Sequence, residues 1–530
     1  MVESGAMTSL ARSIRHFAFK AAAWALLIAI AGCSALPSNP ARPPSTAIAP
    51  SVSTPLGAIA AASLPDGGLS GFRLEPLAWY AFRLRLELAA RAQRTLDVQY
   101  YVLHEDDTGK ALFRALRDAA DRGVRVRILV DDLYEAGEDE LLFALAASPN
   151  VEVRLFNPFP SGRASFAARF AGSLADFGRV DHRMHNKLLV ADNAMAVAGG
   201  RNIADEYFMR ASENNFVDLD VLAAGPVVRE MSATFDTYWN SAFVYPIASL
   251  ASYPGGAQVQ RARLDALTAA PVWPQDMGVP ERLKRYTTTL AQLDQGKIEL
   301  TAASAHAFAD PPDKVTGSKD ATREGTVRAR VVQAMLAARQ EVFVTSPYFV
   351  PGEVGLESMR QLRARDVRLR LLTNSLAATD EPLVHTGYTR YRTSMLQMGV
   401  EIHELSPGLS RQNARLGRFG TSFGRLHAKI AVIDRRVLFV GSMNLDNRSE
   451  RRNTELGLLI DSPSLSNELL GMMDFESSAY LLRLAPDGRT PQWVTQQDGA
   501  EVVMTGEPEA GAWLRFKVFL LGPFVPEGEL

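Results

Sequence analysis

The sequence predicts an α/β protein made of two copies of one half, each a mixed sheet flanked by helices, with an active site at the pseudo-twofold interface between them. Three observations carry this reading. The octapeptide His185-Asn186-Lys187-Leu188-Leu189-Val190-Ala191-Asp192 returns 242 residues later as His427-Ala428-Lys429-Ile430-Ala431-Val432-Ile433-Asp434. Six residues after each aspartate comes a small-residue turn and an asparagine, Gly199-Gly200-Arg201-Asn202 and Gly441-Ser442-Met443-Asn444. Finally, the same run of strand, helix and strand precedes both copies.

In chain order, residues 1–33 read as an export signal. Arg12, Arg15, His16 and Lys20 precede an apolar run, Ala21 to Ala31, that is too short for a mature transmembrane helix. The run ends in Ile30-Ala31-Gly32-Cys33, which resembles a bacterial lipobox, a signal whose cysteine is lipidated and becomes the new N-terminus. That implies a lipid-bilayer anchor at Cys33 and a protein of the bacterial cell envelope facing the periplasm. Ser34, in place of an aspartate, points to the outer membrane. The alternative is an uncleaved anchor with an incidental cysteine. Residues 34–70, rich in Pro, Ser and Ala, read as a tether.

The first half is expected over 71–245. Leu96 to Val102 has strand composition, Lys110 to Arg122 has helical spacing, Gly123 stops the helix, and Val124 to Asp131 is a second strand. That makes a parallel βαβ unit, and Val151 to Phe156 adds a strand. The second half, 326–485, repeats the order: a strand before Ser346-Pro347-Tyr348, a helix over Glu353 to Arg365, a strand over Val367 to Thr373, a helix over Pro382 to Met398 and a strand over Val400 to Leu405. Tyr100 is matched with Tyr348 and Asp131 with Asn374. A proline-bearing joint, 246–325, separates the halves, with Gly317 to Asp320 as exposed loop. In the extension, 486–530, Trp513 to Leu521 reads as strand-like, and core packing is the commoner reason for its apolar density.

Composition narrows the function. The 530 residues are 47% hydrophobic and 22% charged, as in a globular protein of several domains. Fifty-seven basic against 59 acidic residues give a charge of −2, without the basic excess usual in nucleic-acid binders. Cys33 is the single cysteine, which removes disulfides and thiolate metal sites.

The octapeptide has its own chemistry. Residues two apart on a strand share a face, so each histidine projects beside its lysine. Two copies facing one another would gather His185, Lys187, His427 and Lys429 around one centre. Lys187 and Lys429 with Asn202, Ser442 and Asn444 would cradle a multi-oxygen anion such as a phosphate. Two histidines suit two-step substitution at phosphorus, one attacking and the other exchanging protons, with no metal and no cofactor. Each imidazole needs a carboxylate on its other nitrogen. Asp218 is assigned to His185, with Asp220 as its competitor, and Glu455 to His427. Asp192 and Asp434 complete the candidate catalytic set and read as shaping the turn after each strand. A lone histidine on an apolar strand is more often a core residue than a catalyst; duplication of the whole pattern reverses that. Metal ligation by His182, His185 and His427 is a third possibility, but no carboxylate cluster at ligand spacing accompanies them.

These residues resemble the phospholipase D superfamily, whose signature is His-x-Lys-x₄-Asp-x₆-Gly-[Gly/Ser]-x-Asn. The resemblance runs from about Leu96 to Leu482, and Ser346 to Gly352 and Thr373 to Asp380 look like the bacterial cardiolipin synthases, nearest the cardiolipin synthase C type. It implies a phosphatidyltransferase acting through a phosphohistidine intermediate, with membrane phospholipids as donor and acceptor. His185 would be the nucleophile and His427 the acid and base, an order the residues alone leave open. Gly200 departs from the serine found in the second copy, Ser442, and is an accepted family variant. Hydrolytic phospholipase D activity is the alternative, and a nuclease the more distant one.

Inserts before the motifs, Phe156 to Val180 and Ser406 to Arg425, interleave aromatics with arginines, which would suit a lipid interface or nucleic acid. The lipoprotein signal tips that choice to lipid, so no nucleic-acid partner is expected. The two-half unit is expected to work as a monomer, with any protein partner unidentified.

Overall fold

A computed structural model describes residues 36–38, 42–65, 68–163, 165–173, 176–269, 279, 281–317, 325–412, 423–473, 477–497 and 499–529. The signal region with Cys33, Ser318 to Asp320, and Arg415, Arg418 and Phe419 of the second insert lie outside these residues.

The first half supplies β1 (Ser70–Glu75), β2 (Thr95–Tyr100), β3 (Arg125–Asp131), β4 (Val151–Phe156), β5 (Leu188–Ala191), β6 (Met195–Gly199), β7 (Asn214–Val217), β8 (Asp220–Ala224) and β9 (Val244–Pro246). β2, β3 and β4 are parallel neighbours, linked by crossover helices Asp107–Asp121 and Asp139–Ala146. On the other side of β2 follow β5, β6, β8 and β1, each antiparallel to the last.

The second half supplies β10 (Thr301–Ala309), β11 (Glu341–Thr345), β12 (Arg368–Asn374), β13 (Glu401–Leu405), β14 (Phe423–Leu426), β15 (Ile430–Ile433), β16 (Val437–Gly441), β17 (Leu456–Asp461), β18 (Ala479–Leu484), β19 (Pro491–Gln497) and β20 (Ala500–Met504). β11, β12 and β13 are parallel, and β15, β16, β17 and β10 follow antiparallel, as in the first half. β1 pairs with β10, which joins the halves into one 18-stranded sheet.

Register fixes the correspondence between halves. Leu96 lies opposite Ala191, and Val342 opposite Ile433. Beyond the strands, His104 N–H donates to the Ile203 carbonyl, and Val350 N–H to Leu445. The counterpart of Tyr348 is therefore Val102, not Tyr100, which the sequence had matched. Asp131 and Asn374 do correspond, each ending the middle parallel strand.

Apolar side chains form three layers. One core covers the first half on its helical side, with Leu96, Val98, Val126, Leu112 and Leu116. Another covers the second half, with Val342, Val344, Leu369 and Leu356. Between them, Leu188, Val190, Val221 and Trp239 of one half meet Ile430, Val432, Leu456 and Leu458 of the other. Burial of each such side chain is worth about 1.5–3 kcal/mol, so the motif strands β5 and β15 are pinned where the two halves face one another.

Two expectations are corrected, for the tether and the tail, and the joint gains detail. Much of the tether is docked: Arg154 and Arg127 donate to the Pro43 and Ser45 carbonyls at 2.8 and 2.9 Å, and helix Pro55–Ser63 buries Leu56 and Ile59. Prolines there start a helix and an extended run that borrow hydrogen bonds from the first half. The joint is structured too, since β10 lies in the sheet and Leu264, Leu293 and Ile298 enter the first core. The tail is a helix, Ala512–Leu521, with Trp513 74% and Phe519 79% exposed. A continuous apolar run does not distinguish helix from strand. Among the described residues, no helix is long and apolar enough to cross a membrane.

Candidate active site

Each motif histidine is placed by a segment of the opposite half. Met184 bridges in parallel to Thr454, and β14 pairs in parallel with β7, with Leu426 opposite Val217. His185 N–H then donates to the Thr454 carbonyl and His427 N–H to that of Val217, both at 2.8 Å. The preceding residues are clamped symmetrically. Met184 N–H donates to Asp131 at 2.7 Å, while Asn374 both accepts from Leu426 N–H at 2.8 Å and donates to its carbonyl at 2.9 Å.

This cross-pairing corrects the assignment of the carboxylates. His185 Nδ1 is 2.8 Å from Glu455 Oε2, and His427 Nδ1 is 2.6 Å from Asp218 Oδ2. The sequence paired each histidine with the carboxylate of its own half; the structure exchanges them. The physical reason is that Glu455 follows Thr454 and Asp218 follows Val217, the two residues that grip the other half's motif. Asp220 is no competitor, since it pairs with Arg85 and Arg201 at 2.9 and 3.0 Å. With a carboxylate on Nδ1, that nitrogen carries the proton and Nε2 is left on the far edge of each ring.

The centre is deeply buried: both histidines are 5% exposed and both lysines 1%. Lys187 Nζ and Lys429 Nζ each donate to the carbonyl of their own histidine at 2.6 Å, leaving two further N–H donors apiece. Burial, followed by the two lysine charges, holds both imidazoles well below their ordinary pKa of 6.5. Burial also pushes Lys187 well down and Lys429 to about 8. Burial raises both carboxylates, opposed chiefly by Lys187 at Glu455 and by Lys429 at Asp218. Neutral imidazoles beside cations, lined with donors, form a centre that an anion complements.

The rest of the predicted set divides. Asp192 accepts from the backbone N–H groups of Gln93, Arg94 and Thr95, and Asp434 likewise from Arg339, Gln340 and Glu341. Each starts the three-residue connection of its hairpin with left-handed φ, 52° and 51°. They brace the turn and the strand beside it, so they leave the candidate catalytic set. Asn202 is also committed, accepting from Val102 N–H at 3.3 Å and donating to Tyr207 Oη at 2.8 Å. Asn444 Oδ1 is buried with no protein partner.

Ser442 Oγ donates to Glu455 at 2.5 Å, which makes it a support of the carboxylate. Gly200 has no such role: a Cβ there would collide with Asp218 Oδ1. The shorter carboxylate occupies the space a side chain would need.

Sequence reasoning missed several neighbours. Tyr101 meets His185 edge-on with ring centroids 4.9 Å apart, and Tyr207 meets His427 at 5.1 Å. Ser449 Oγ donates to Glu455 Oε1 at 2.7 Å. Only Ser449 carried a signal, the Asp446-Asn447-Arg448-Ser449 helix cap, in which Asp446 accepts from Ser449 N–H. The grouping of metal-ligand type among the described residues, His104 with Asp106 and Glu206, lacks the motif histidines. Its Asp106 already caps a helix at Gly109.

Comparison with known proteins follows the same division. The family described as "Cardiolipin synthase, PLD-like domain" matches twice, at residues 86–239 and 331–474. The cardiolipin synthase C of Escherichia coli K12 is 38% identical over 449 residues, covering 83% of this chain and 92% of that protein. A cardiolipin synthase A of Pseudomonas fluorescens is 26% identical over 387 residues, covering 72% and 64%. Among solved structures, the phosphatidylserine synthase of Haemophilus influenzae shares the fold with a TM-score of 0.50 at 14% identity, covering 76% of this chain and 84% of that one.

Proposed function

The chain belongs to the phospholipase D-like cardiolipin synthase family, and on that premise we propose that it moves a phosphatidyl group between membrane phospholipids through a phosphohistidine at His185. It is an enzyme of the phospholipid phosphatidyltransferase class. One observation carries the mechanism: two imidazoles, each with Nδ1 bound to a carboxylate from the opposite half, share one buried centre with two lysines.

Neutral His185 attacks the donor's phosphorus through Nε2, forming a P–N bond. The bond to the departing alcohol oxygen breaks, and His427 gives that oxygen a proton. The acceptor lipid's hydroxyl then enters and loses its proton to His427. Its oxygen attacks phosphorus, the P–N bond breaks, and both imidazoles return to their starting state. Lys187 and Lys429 offset the charge that gathers on the phosphoryl oxygens, and the side-chain amide N–H of Asn444 is the further donor proposed for them. His427 is held neutral by burial and by cations. An anionic phosphodiester opposes that field and raises the proton affinity of His427, which takes a proton from water as substrate enters and so becomes the acid.

The family's phospholipid chemistry supports a substrate drawn from a bilayer, and the tail helix supports membrane contact. Trp513, Phe516 and Phe519 stand exposed beside Arg515 and Lys517, the mixture that suits a lipid–water interface. Lipidation of Cys33, the envelope location and the outer-membrane preference remain part of this proposal. Purified full-length protein in vesicles of phosphatidylglycerol and phosphatidylethanolamine, with products identified by mass spectrometry, tests it. A diphosphatidyl product that vanishes in His185→Ala is the expected result. Phosphatidic acid alone would replace transfer by hydrolysis.

A further inference from the structure

The helical layers of the two halves stand on the same frame, but only one is filled. In the first half Leu96, Val98, Val126 and Ile128 face the covering helices and are fully buried, at 0% exposure. Their counterparts by register, Val342, Val344, Leu369 and Leu371, are 3%, 8%, 6% and 3% exposed. The covering helices explain the difference. Counted back from β2 and β11, Ala334 stands where the first half has Leu88. Gly123 and Asp366, both at positive φ, end the crossover helices. Counted back from them, Gly355 replaces Leu112 and Met359 replaces Leu116. Branched leucines give way to small or flexible side chains.

What results is a cavity of about 780 Å³, with Val332, Met335, Val342, Val344, Met359 and Leu369 among its walls. Its lining is mostly apolar, and Arg451, Lys314 paired with Asp310, and the Arg328–Glu450 ion pair are among the rest. Leu445 lies in the wall and directly follows Asn444, a candidate phosphate ligand. The phosphate cradle and the cavity thus share one loop.

We infer that this cavity receives an acyl chain of the phospholipid substrate while the lipid's phosphate sits between the motif lysines. The inference rests on the phospholipid reading of the site. A methylene takes about the volume of one water, roughly 30 Å³, so a chain of about sixteen carbons needs about 500 Å³ and fits. Its largely apolar walls offer few polar partners to hold water, which leaves most of the space to a hydrocarbon chain. The half that lost its leucines has gained room for part of the substrate.

Two variants from different walls, Val344→Phe and Val332→Phe, fill the space from a strand and from a helix. Binding of cis-parinaric acid, a fluorescent long-chain fatty acid, is measured first because it needs no turnover. Saturable binding by the wild type, weakened on the order of tenfold in both variants at unchanged or raised melting temperature, is expected. KM for long-chain phosphatidylglycerol should rise by a similar factor while turnover of a short-chain form is kept. Undiminished probe binding in both folded variants, or equal loss on short and long chains, would overturn the acyl site. Probe binding without transfer in the wild type would instead refute the reaction and leave the cavity standing.

Discussion

Around His185 the carboxylate is a glutamate gripped by two hydroxyls, Ser442 and Ser449; around His427 it is an aspartate held by Leu219 N–H, with Gly200 alongside. The distances to the imidazoles are nearly the same, 2.8 and 2.6 Å. The duplicated fold has kept the geometry of the two imidazoles and let their surroundings drift apart. Two equal positions with unequal environments suit a reaction in which one histidine bonds to phosphorus and the other only trades protons.

The largest test of that inequality is removal of either ring. His185→Ala and His427→Ala should each cut transfer by about 10⁴-fold or more. Only His427→Ala should trap phosphatidyl on the enzyme, at a peptide holding His185, when a donor with a good leaving group is supplied. Label on His427 in the His185→Ala protein would exchange the two roles.

Neutralising the carboxylates should have a smaller effect, about 10- to 100-fold each for the loss of one charged hydrogen bond. Glu455→Gln should move the Nδ1 proton resonance of His185 and spare that of His427, while Asp218→Asn should do the reverse. Shifts confined to the histidine of the same half would break the crossed pairing.

The smallest test is pH. Lys429, at about 8, is charged below that value and loses its charge above it. If the ammonium is the working form, kcat/KM falls as pH rises through about 8, well short of lysine's ordinary 10.5. Lys429→Arg should keep its charge and move this limb upward. A limb unmoved by the substitution would assign it to another group.

Much of this was written in the sequence. The octapeptides, their hairpins and the parallel strands before them are local patterns, and each half folds from contacts near in sequence. The crossing of Glu455 and Asp218 is not local. It depends on Thr454 and Val217 pairing with segments more than two hundred residues away, and no spacing within either half encodes that. The roles of Asp192 and Asn202 were hidden similarly, because a motif names residues without saying which backbone groups they satisfy. The hollow second half was equally out of reach: Gly355 signals a cavity only after register sets it against Leu112. The tail failed for another reason, since an unbroken apolar run has no period to read.

The docking of residues 42 onward against the first half has a mechanical consequence. If Cys33 carries the lipid, only eight residues separate it from Arg42, which donates to the Val244 carbonyl at 3.2 Å. Fully extended, that leash reaches about 30 Å. The catalytic body would then be a surface-bound reactant that meets lipids by diffusion in two dimensions. It would work on the bilayer that holds it, and a membrane farther off than its own diameter would be out of range.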